Sequence, residues 1–378
     1  MAALYPSTLR SLVLALVASA PALLGCGSDA SDPGAPAEPR EVEAQVDVVA
    51  ADADVAYPLN TLTPTLLADE SGVYWRNSGG AVLARRSGED ESVVLRQAIR
   101  AGASEGITPH SLSMAMDDER LYVGEAWLPR GVVDYFPEPE FAPPGRLVAI
   151  PKRGGAPTVL LELEDRVVWP LAVEPDGVIV FIQGNDQSGY YLLRPSTLEL
   201  ERLPLRVPFG SSVRSGDTFY WSDGDYPPSL LRAGPDGSEP ELVTALENNL
   251  FWVGPGYVLS LRERLVEPDY TASQSFVIHE ETADAERSLP GLDETISLDA
   301  ALDARHAYWF SYPSAGPSQL PLENPPLRLV RVDIHSGALT LLNTAELRDE
   351  PGIFILGQDI GHIYVRAGQK LVAVEKPE

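Results

Sequence analysis

The feature that most constrains the fold is a four-part pattern that repeats along nearly the whole chain. Its clearest copy is SSVRSGDTFYWSDGDYPPSLLRAGPDGSEPELVTAL, from Ser211 to Leu246. A short apolar run leads into a turn at Ser215-Gly216-Asp217 and a second run ending in Tyr220-Trp221. A third run at Leu230-Leu231-Arg232, a turn at Pro235-Asp236-Gly237 and a fourth run around Leu242-Val243 complete the unit. Short apolar runs punctuated by Gly, Pro and Asp are strand signals, and Asp-Gly suits a hairpin.

The second run recurs as Val73-Tyr74-Trp75, Leu121-Tyr122-Val123, Val178 to Phe181, Gly256-Tyr257-Val258, Tyr308-Trp309-Phe310 and Ile363-Tyr364-Val365. The third recurs as VLARR, LVAIP, YLLRP, FVIHE, LVRVD and LVAVE. Spacings of about 37 to 58 residues, without helical periodicity, match four-stranded propeller blades. The pattern predicts an all-β fold, a seven-bladed β-propeller, with six or eight blades as the alternatives. The last unit stops after its third run, at QKLVAVEKPE, while Glu41 to Ala50 is strand-like and has no partner of its own. Pairing the two predicts a ring closed by an N-terminal strand, without exposed edges at the joint. The propeller domain is therefore expected over residues 41–378.

One unit carries a resemblance. Tyr220-Trp221-Ser222-Asp223, followed by LLRAGPDGS and LV, resembles the YWTD-type repeat of receptor propellers and related bacterial units. YWRN at Tyr74 and YWFS at Tyr308 are degenerate versions. The resemblance implies a propeller fold and binding rather than catalysis. The known YWTD propellers have six blades, and no functional residue carries over.

The chain has one cysteine, Cys26, which excludes a disulfide framework. Ahead of it lie Arg10 and an apolar run from Ser11 to Ala22, too short to span a bilayer but suited to a secretory signal. Leu23-Leu24-Gly25-Cys26 then resembles the bacterial lipobox. The resemblance implies a lipoprotein signal peptide over residues 1–25, cleaved before Cys26, and acyl chains, palmitate among them, on that cysteine. Gly27 in the next position resembles lipoproteins sorted to the outer membrane. The alternative is an ordinary signal peptide with an incidental cysteine. Residues 26–40 are rich in Gly, Pro, Ala, Ser and Asp, without apolar periodicity, and read as a disordered, flexible tether. The expected location is the bacterial cell envelope, with a lipid anchor in the outer membrane.

Composition narrows the partners. The formal net charge is -27, a field that repels nucleic acid and favours cationic partners, or serves solubility alone. Residues placed at the mouth of the central channel, where first strands begin, are Thr65, Ser111, Pro170, Ser212, Asn249, Ser297 and Ile353. That set holds hydroxyls and an amide rather than the carboxylates a Ca²⁺-dependent enzyme uses. The histidines do not converge: His306, His335 and His362 fall in turns on the opposite face, His279 inside a third strand, and only His110 on the mouth side. HExxH and phosphate-loop motifs are absent from the sequence. The reading assigns no catalytic residue, no metal site and no cofactor.

The loops joining second to third strands share one face and differ in length. They hold Trp127, Tyr135, Phe136, Tyr226, Tyr270 and Tyr312 beside Asp134, Glu138 and Glu140. Exposed aromatics next to carboxylates suit a cationic peptide, an amine or a sugar; the alternative is that the long loops pack on themselves. The expectation is a non-catalytic, monomeric propeller. It would be anchored to the membrane by lipid and bind an envelope protein, peptide or glycan of cationic character. A secreted propeller hydrolase or lyase with its site at the channel mouth is one alternative, a purely structural scaffold the other.

Overall fold

In the computed structural model, one compact unit runs from Glu38 to Glu378. The residues described are 40–56, 64–98, 107–129, 144–184, 188–209, 212–225, 227–237, 239–247, 250–266, 271–280, 285–289, 294–313, 328–344, 347, 350 and 352–377. Among these residues every sheet strand belongs to one of seven sheets, and none is α-helical.

Two N-terminal strands, β1 (Arg40–Glu43) and β2 (Val46–Ala50), come first. Blade 1 is β3 (Leu66–Asp69), β4 (Gly72–Arg76), β5 (Val82–Arg86) and β6 (Val93–Arg96). Blade 2 is β7 (Ile107–Met116), β8 (Arg120–Pro129), β9 (Gly145–Pro151) and β10 (Thr158–Leu163). Blade 3 is β11 (Val167–Glu174), β12 (Gly177–Gln183), β13 (Gly189–Arg194) and β14 (Glu199–Arg202). Blade 4 is β15 (Ser212–Ser215), β16 (Thr218–Ser222), β17 (Ser229–Ala233) and β18 (Glu241–Ala245). Blade 5 is β19 (Phe251–Gly254), β20 (Tyr257–Val266), β21 (Thr271–Glu280) and β22 (Ala285–Ser288). Blade 6 is β23 (Glu294–Leu302), β24 (His306–Pro313), β25 (Arg328–Asp333) and β26 (Leu339–Asn343). Blade 7 is β27 (Ile353–Gln358), β28 (His362–Ala367) and β29 (Lys370–Glu375), completed by β2. The protein is a seven-bladed β-propeller.

The ring closes through the N-terminal segment, but not by the single strand expected from Glu41 to Ala50. Only β2 completes blade 7, antiparallel to β29 from Val46↔Val374 to Ala50↔Leu371. The chain before it forms β1, which runs parallel to β26 as a fifth strand on blade 6, from Arg40↔Thr340 to Glu43↔Asn343. Ala44 and Gln45 bridge the two, with Ala44 N–H donating to the Asn343 carbonyl and Glu375 N–H to that of Gln45. A parallel addition to an outer edge has no signature in a pattern of hairpins, so the sequence could not separate these roles.

A recurring side-chain device fixes the turn between first and second strands. Asp117 Oδ1 accepts the N–H groups of Glu119 (2.8 Å) and Arg120 (2.6 Å), while its Oδ2 accepts the Tyr122 hydroxyl at 2.7 Å. Asp303 does the same with Arg305, His306 and Tyr308, and Asp359 with Gly361, His362 and Tyr364. In blade 1, Ser71 relays Asp69 to the Tyr74 hydroxyl. The aspartate supplies turn chemistry, and the tyrosine five residues on buries its ring while finding a partner for its hydroxyl. The strand that starts there approaches its neighbour closely: a Cβ on Gly72 would lie 2.4 Å from the Arg85 carbonyl oxygen, and one on Gly177 2.3 Å from that of Leu193.

Adjacent blades are joined by apolar faces and by two lysine staples. Tyr74, Val82 and Ala84 of blade 1 pack on Met114, Leu121, Val123, Val148 and Ile150 of blade 2. Lys152, just past β9, bonds Asp69 of blade 1 and lies 5.3 Å from the Tyr74 ring centre. Lys376, just past β29, reaches blade 6, with Nζ 3.3 Å from Asp303 and 5.4 Å from the Tyr308 ring centre. It also donates to Gln358 (2.9 Å) and the Asp359 carbonyl (2.7 Å). Between blades 3 and 4 an extended segment is inserted instead: Leu203, Leu205, Val207 and Phe209 pack among Trp169, Phe181, Tyr190 and Trp221. Phe209 stacks on Phe181 at 4.0 Å.

Two outcomes test this architecture. Lys376→Ala leaves Asp303 without its cation and should cost about 2 kcal/mol, less than a fully buried pair would, lowering Tm by a few degrees. A chain beginning at Gln45 loses only β1 and should melt slightly below one beginning at Arg40. A chain beginning at Tyr57 loses the closure and should aggregate or melt far lower; equal Tm values for all three would refute it.

Candidate functional site

The channel mouth is built from the starts of the innermost strands and from the loops between second and third strands. The hydroxyls expected to open onto it are turned inward. Ser111 is buried and its Oγ donates to the Gly80 carbonyl at 2.8 Å; Ser212 donates to that of Pro208 at 2.8 Å. Pro170 and Ser111 sit within β11 and β7, which begin further toward the mouth than the sequence pattern suggested. Ile353 opens β27 and Ser297 lies on the backbone of β23, while Asn249 is outside the described residues. Those residues therefore form no converging cluster among the described residues.

Among the described residues, a cluster of charge lies along the seam between blades 1 and 2. Arg76 ends β4 on the face shared with Tyr74, and its Nη1 donates to the Ser111 carbonyl. Arg76 is 7% exposed, and no carboxylate among the described residues pairs with it; its Nε meets no acceptor. Burial holds its pKa down at about 10. Thr65, whose carbonyl accepts the Arg76 N–H at 2.9 Å, is buried with its hydroxyl unpartnered. Further out on the same seam, Glu125 is fully buried between two arginines. Arg96 holds it through both nitrogens of its fork, and Arg146 donates from Nε at 2.6 Å. The Arg146 guanidinium lies 5.0 Å from the Trp127 ring centre. Among the described residues the seam thus holds three arginines and one glutamate, a local excess of positive charge in a chain of net charge -27.

His110 is on the mouth side as expected. Burial and the charge of Arg76 lower its pKa, and its Nε2 has no partner. Trp127 is within β8 and half-buried against Arg146 rather than on a free loop. Tyr312 is paired with Thr295 in β24, its side chain outside the described residues. Asp134, Tyr135, Phe136, Glu138, Glu140, Tyr226 and Tyr270 lie outside the described residues.

Sequence reading missed Arg76, Arg96, Glu125, Arg146 and a further group, Asp299 in the innermost strand of blade 6. Burial raises the Asp299 carboxyl to about 6. Strand alternation could have placed Arg76 and Glu125 on inter-blade faces, two residues beyond Tyr74 and Val123. What alternation cannot give is which ions meet across a seam.

The nearest approach to nucleophile and base is Ser260 Oγ to His279 Nε2, 2.9 Å. Both are buried on the face of blade 5 that carries Val258, which packs on Tyr220 and Leu230 of blade 4. Glu286 is opposite His279 in the ladder but is bound to Arg262. The pair satisfies two buried polar groups. Among the described residues no three metal-ligating side chains come together. A cleft of about 370 Å³ beside the inserted segment is walled by Pro204, Leu205, Trp221 and Pro240, which puts the tryptophan of the YWSD unit at a blade seam.

No family model matches the chain, and no curated protein does. Among solved structures it is similar to YCF48 bound to D1 peptide, at 9% identity and TM-score 0.53, covering 88% of this chain and 100% of that one. YCF48 from Cyanidioschyzon merolae is similar at 10% identity and TM-score 0.50, covering 87% and 98%. The propeller domain of the Trilobed protease from Pyrococcus furiosus matches at 11% identity and TM-score 0.47, over 71% and 83%. At these identities the likeness shows the fold, a β-propeller.

The ionisable groups predict a pH response. Burial lowers the pKa of His110, His279 and His306 below the ordinary 6.5. Below 6.5 the unfolded chain takes up protons that the folded one refuses, so stability falls as pH drops from 7 toward 5. Asp299 acts with the opposite sign, its contribution lost as pH rises from 3.8 through about 6. With three rings against one carboxyl, Tm should rise from pH 5 to 7. His279→Asn, which can still bond Ser260, should flatten that rise; an unchanged slope would clear His279.

Proposed function

We propose that this protein is a non-catalytic binding propeller of the bacterial envelope, held to the outer membrane by lipid on Cys26, which captures a protein or peptide at its mouth face. The observation that carries the reading is the seam of blades 1 and 2, where among the described residues arginines outnumber their carboxylate partners and the buried Thr65 hydroxyl, Arg76 Nε and His110 Nε2 lack partners. A buried charge without a counter-charge is costly to a monomer and is reconciled when a ligand supplies the partner. The propeller of YCF48 bound to D1 peptide, similar in fold over 88% of this chain, supports a peptide as the kind of ligand.

The attachment point supports the same arrangement. Arg40 pairs with Thr340, just past the turn between the third and fourth strands of blade 6. Such turns are on the face away from the mouth, so the chain enters β1 at Arg40 on that face. Cys26→Ala should abolish palmitate labelling and release the protein from membranes. A photoreactive residue placed at the exposed mouth position Gly79 should cross-link a discrete envelope partner, whereas one at Ile360, 95% exposed on the opposite face, should not. Equal labelling from both positions, or none from Gly79, would reject the mouth as the binding face.

A further inference from the structure

We infer that the inner end of the seam between blades 1 and 2 is a carboxylate-binding site, in which the guanidinium edge that carries the unpartnered Arg76 Nε and the Thr65 hydroxyl together hold one carboxylate of the ligand. The inference rests on the binding role proposed above and names the chemistry it recognises.

Geometry brings the two donors together. Thr65 stands opposite Arg76 in the β3–β4 register, one step beyond Leu66↔Trp75, and cross-strand partners share a face. That face looks toward blade 2, because Leu67, Tyr74 and Val82 on it pack against Met114, Leu121 and Val123. Of the Arg76 nitrogens, Nη1 is engaged by the Ser111 carbonyl, while Nε has no acceptor. A guanidinium edge offers two parallel donors, the arrangement that a carboxylate's two oxygens match. The Thr65 hydroxyl, also without a partner, can donate a third hydrogen bond.

Charge points the same way. Along this seam Glu125 is already shared by Arg96 and Arg146, so it is not available to neutralise Arg76. Among the described residues the only acceptor that the Arg76 side-chain nitrogens meet is a neutral carbonyl. An uncompensated buried cation is the least stable arrangement of such a group; a bound anion removes that cost. His110 reports on occupancy. The charge that acts on it is that of Arg76 from blade 1; Arg96, also on blade 1, and Arg146 of its own blade are both bound to Glu125. Neutralising Arg76 removes one of the two causes that keep its ring below the ordinary value.

The test is a titration of the full chain at constant ionic strength. The probes are N-acetyl-dialanine, which ends in a carboxylate, its C-terminal amide, acetate, and inorganic phosphate. Binding is read from the His110 ring resonances and its pKa. N-acetyl-dialanine should shift the resonances saturably and raise the His110 pKa, and the amide should do neither. Arg76→Met should weaken the carboxylate by at least about 10-fold, Thr65→Val by a few-fold, and Arg76→Lys by an intermediate amount. Acetate binding as tightly as the peptide would assign the site to free carboxylates rather than a chain terminus. Absence of a saturable response in the wild-type protein, equal response to the amide, or preference for phosphate would overturn the inference. The wild-type titration decides even if Arg76→Met fails to fold. The Gly79 cross-link can succeed while this titration fails, so the two readings fall separately.

Discussion

The ring depends on one set of backbone hydrogen bonds, those between β2 and β29. Each of the other blades takes its strands from one continuous stretch of chain and could form its sheet locally. Blade 7 cannot: three strands come from the C-terminal end and the fourth from residues 46–50, so it forms only when the whole ring has come round. Contacts of such sequence separation are entropically expensive and slow to form. The parallel addition of β1 to blade 6 extends the same segment over a second edge. A force applied to the chain ahead of Arg40 would therefore act first on β1, and β2 would stay paired until β1 had peeled away. The double attachment thus sets β1 between the closure of the ring and the chain that precedes it.

Within blades, order comes from local chemistry that repeats, which is why so much of the fold was legible. Every second and third strand expected from the pattern is present, from Val73-Tyr74-Trp75 in β4 to LVAVE in β29, because turn residues and alternation act over a few positions. The spacing of Asp to Tyr at 69/74, 117/122, 303/308 and 359/364 was also in plain sight, and the structure gives it meaning as a turn lock. The inserted segment at Leu203 to Phe209 was less legible. Its alternation reads as a strand, yet past the Leu203 N–H, which bonds the Tyr190 carbonyl, it joins no sheet and serves as a wedge. Pairing partners, unlike periodicity, are set by the closed ring.

The candidate site was harder to read for the same reason. Hydroxyls at the inner-strand starts are the visible polar residues in sequence, but carbonyls of neighbouring loops take up Ser111 and Ser212. The charges that matter sit at the ends of second strands and at outer edges, on separate blades. Arg96 and Glu125 are 29 residues apart and meet only because blades 1 and 2 pack face to face. Trp127 was singled out for its aromatic ring, and its contact with Arg146 ties it to this charged seam.

Net charge and local charge then give different answers about partners, and the local one governs recognition. A field from -27 acts at long range and, at physiological ionic strength, fades over roughly 8 Å. It slows the approach of any anionic molecule and speeds that of a cationic one. Arg76 acts at contact distance from a buried position, where screening is weak. The combination selects a ligand that carries a negative group at one place and is neutral or positive elsewhere. A peptide whose terminal carboxylate is flanked by basic residues meets both conditions: its positive flank follows the acidic field inward, and its carboxylate meets the seam of blades 1 and 2, where Arg76 lies without a carboxylate among the described residues. A polyanion meets only the second condition, and a purely cationic ligand only the first.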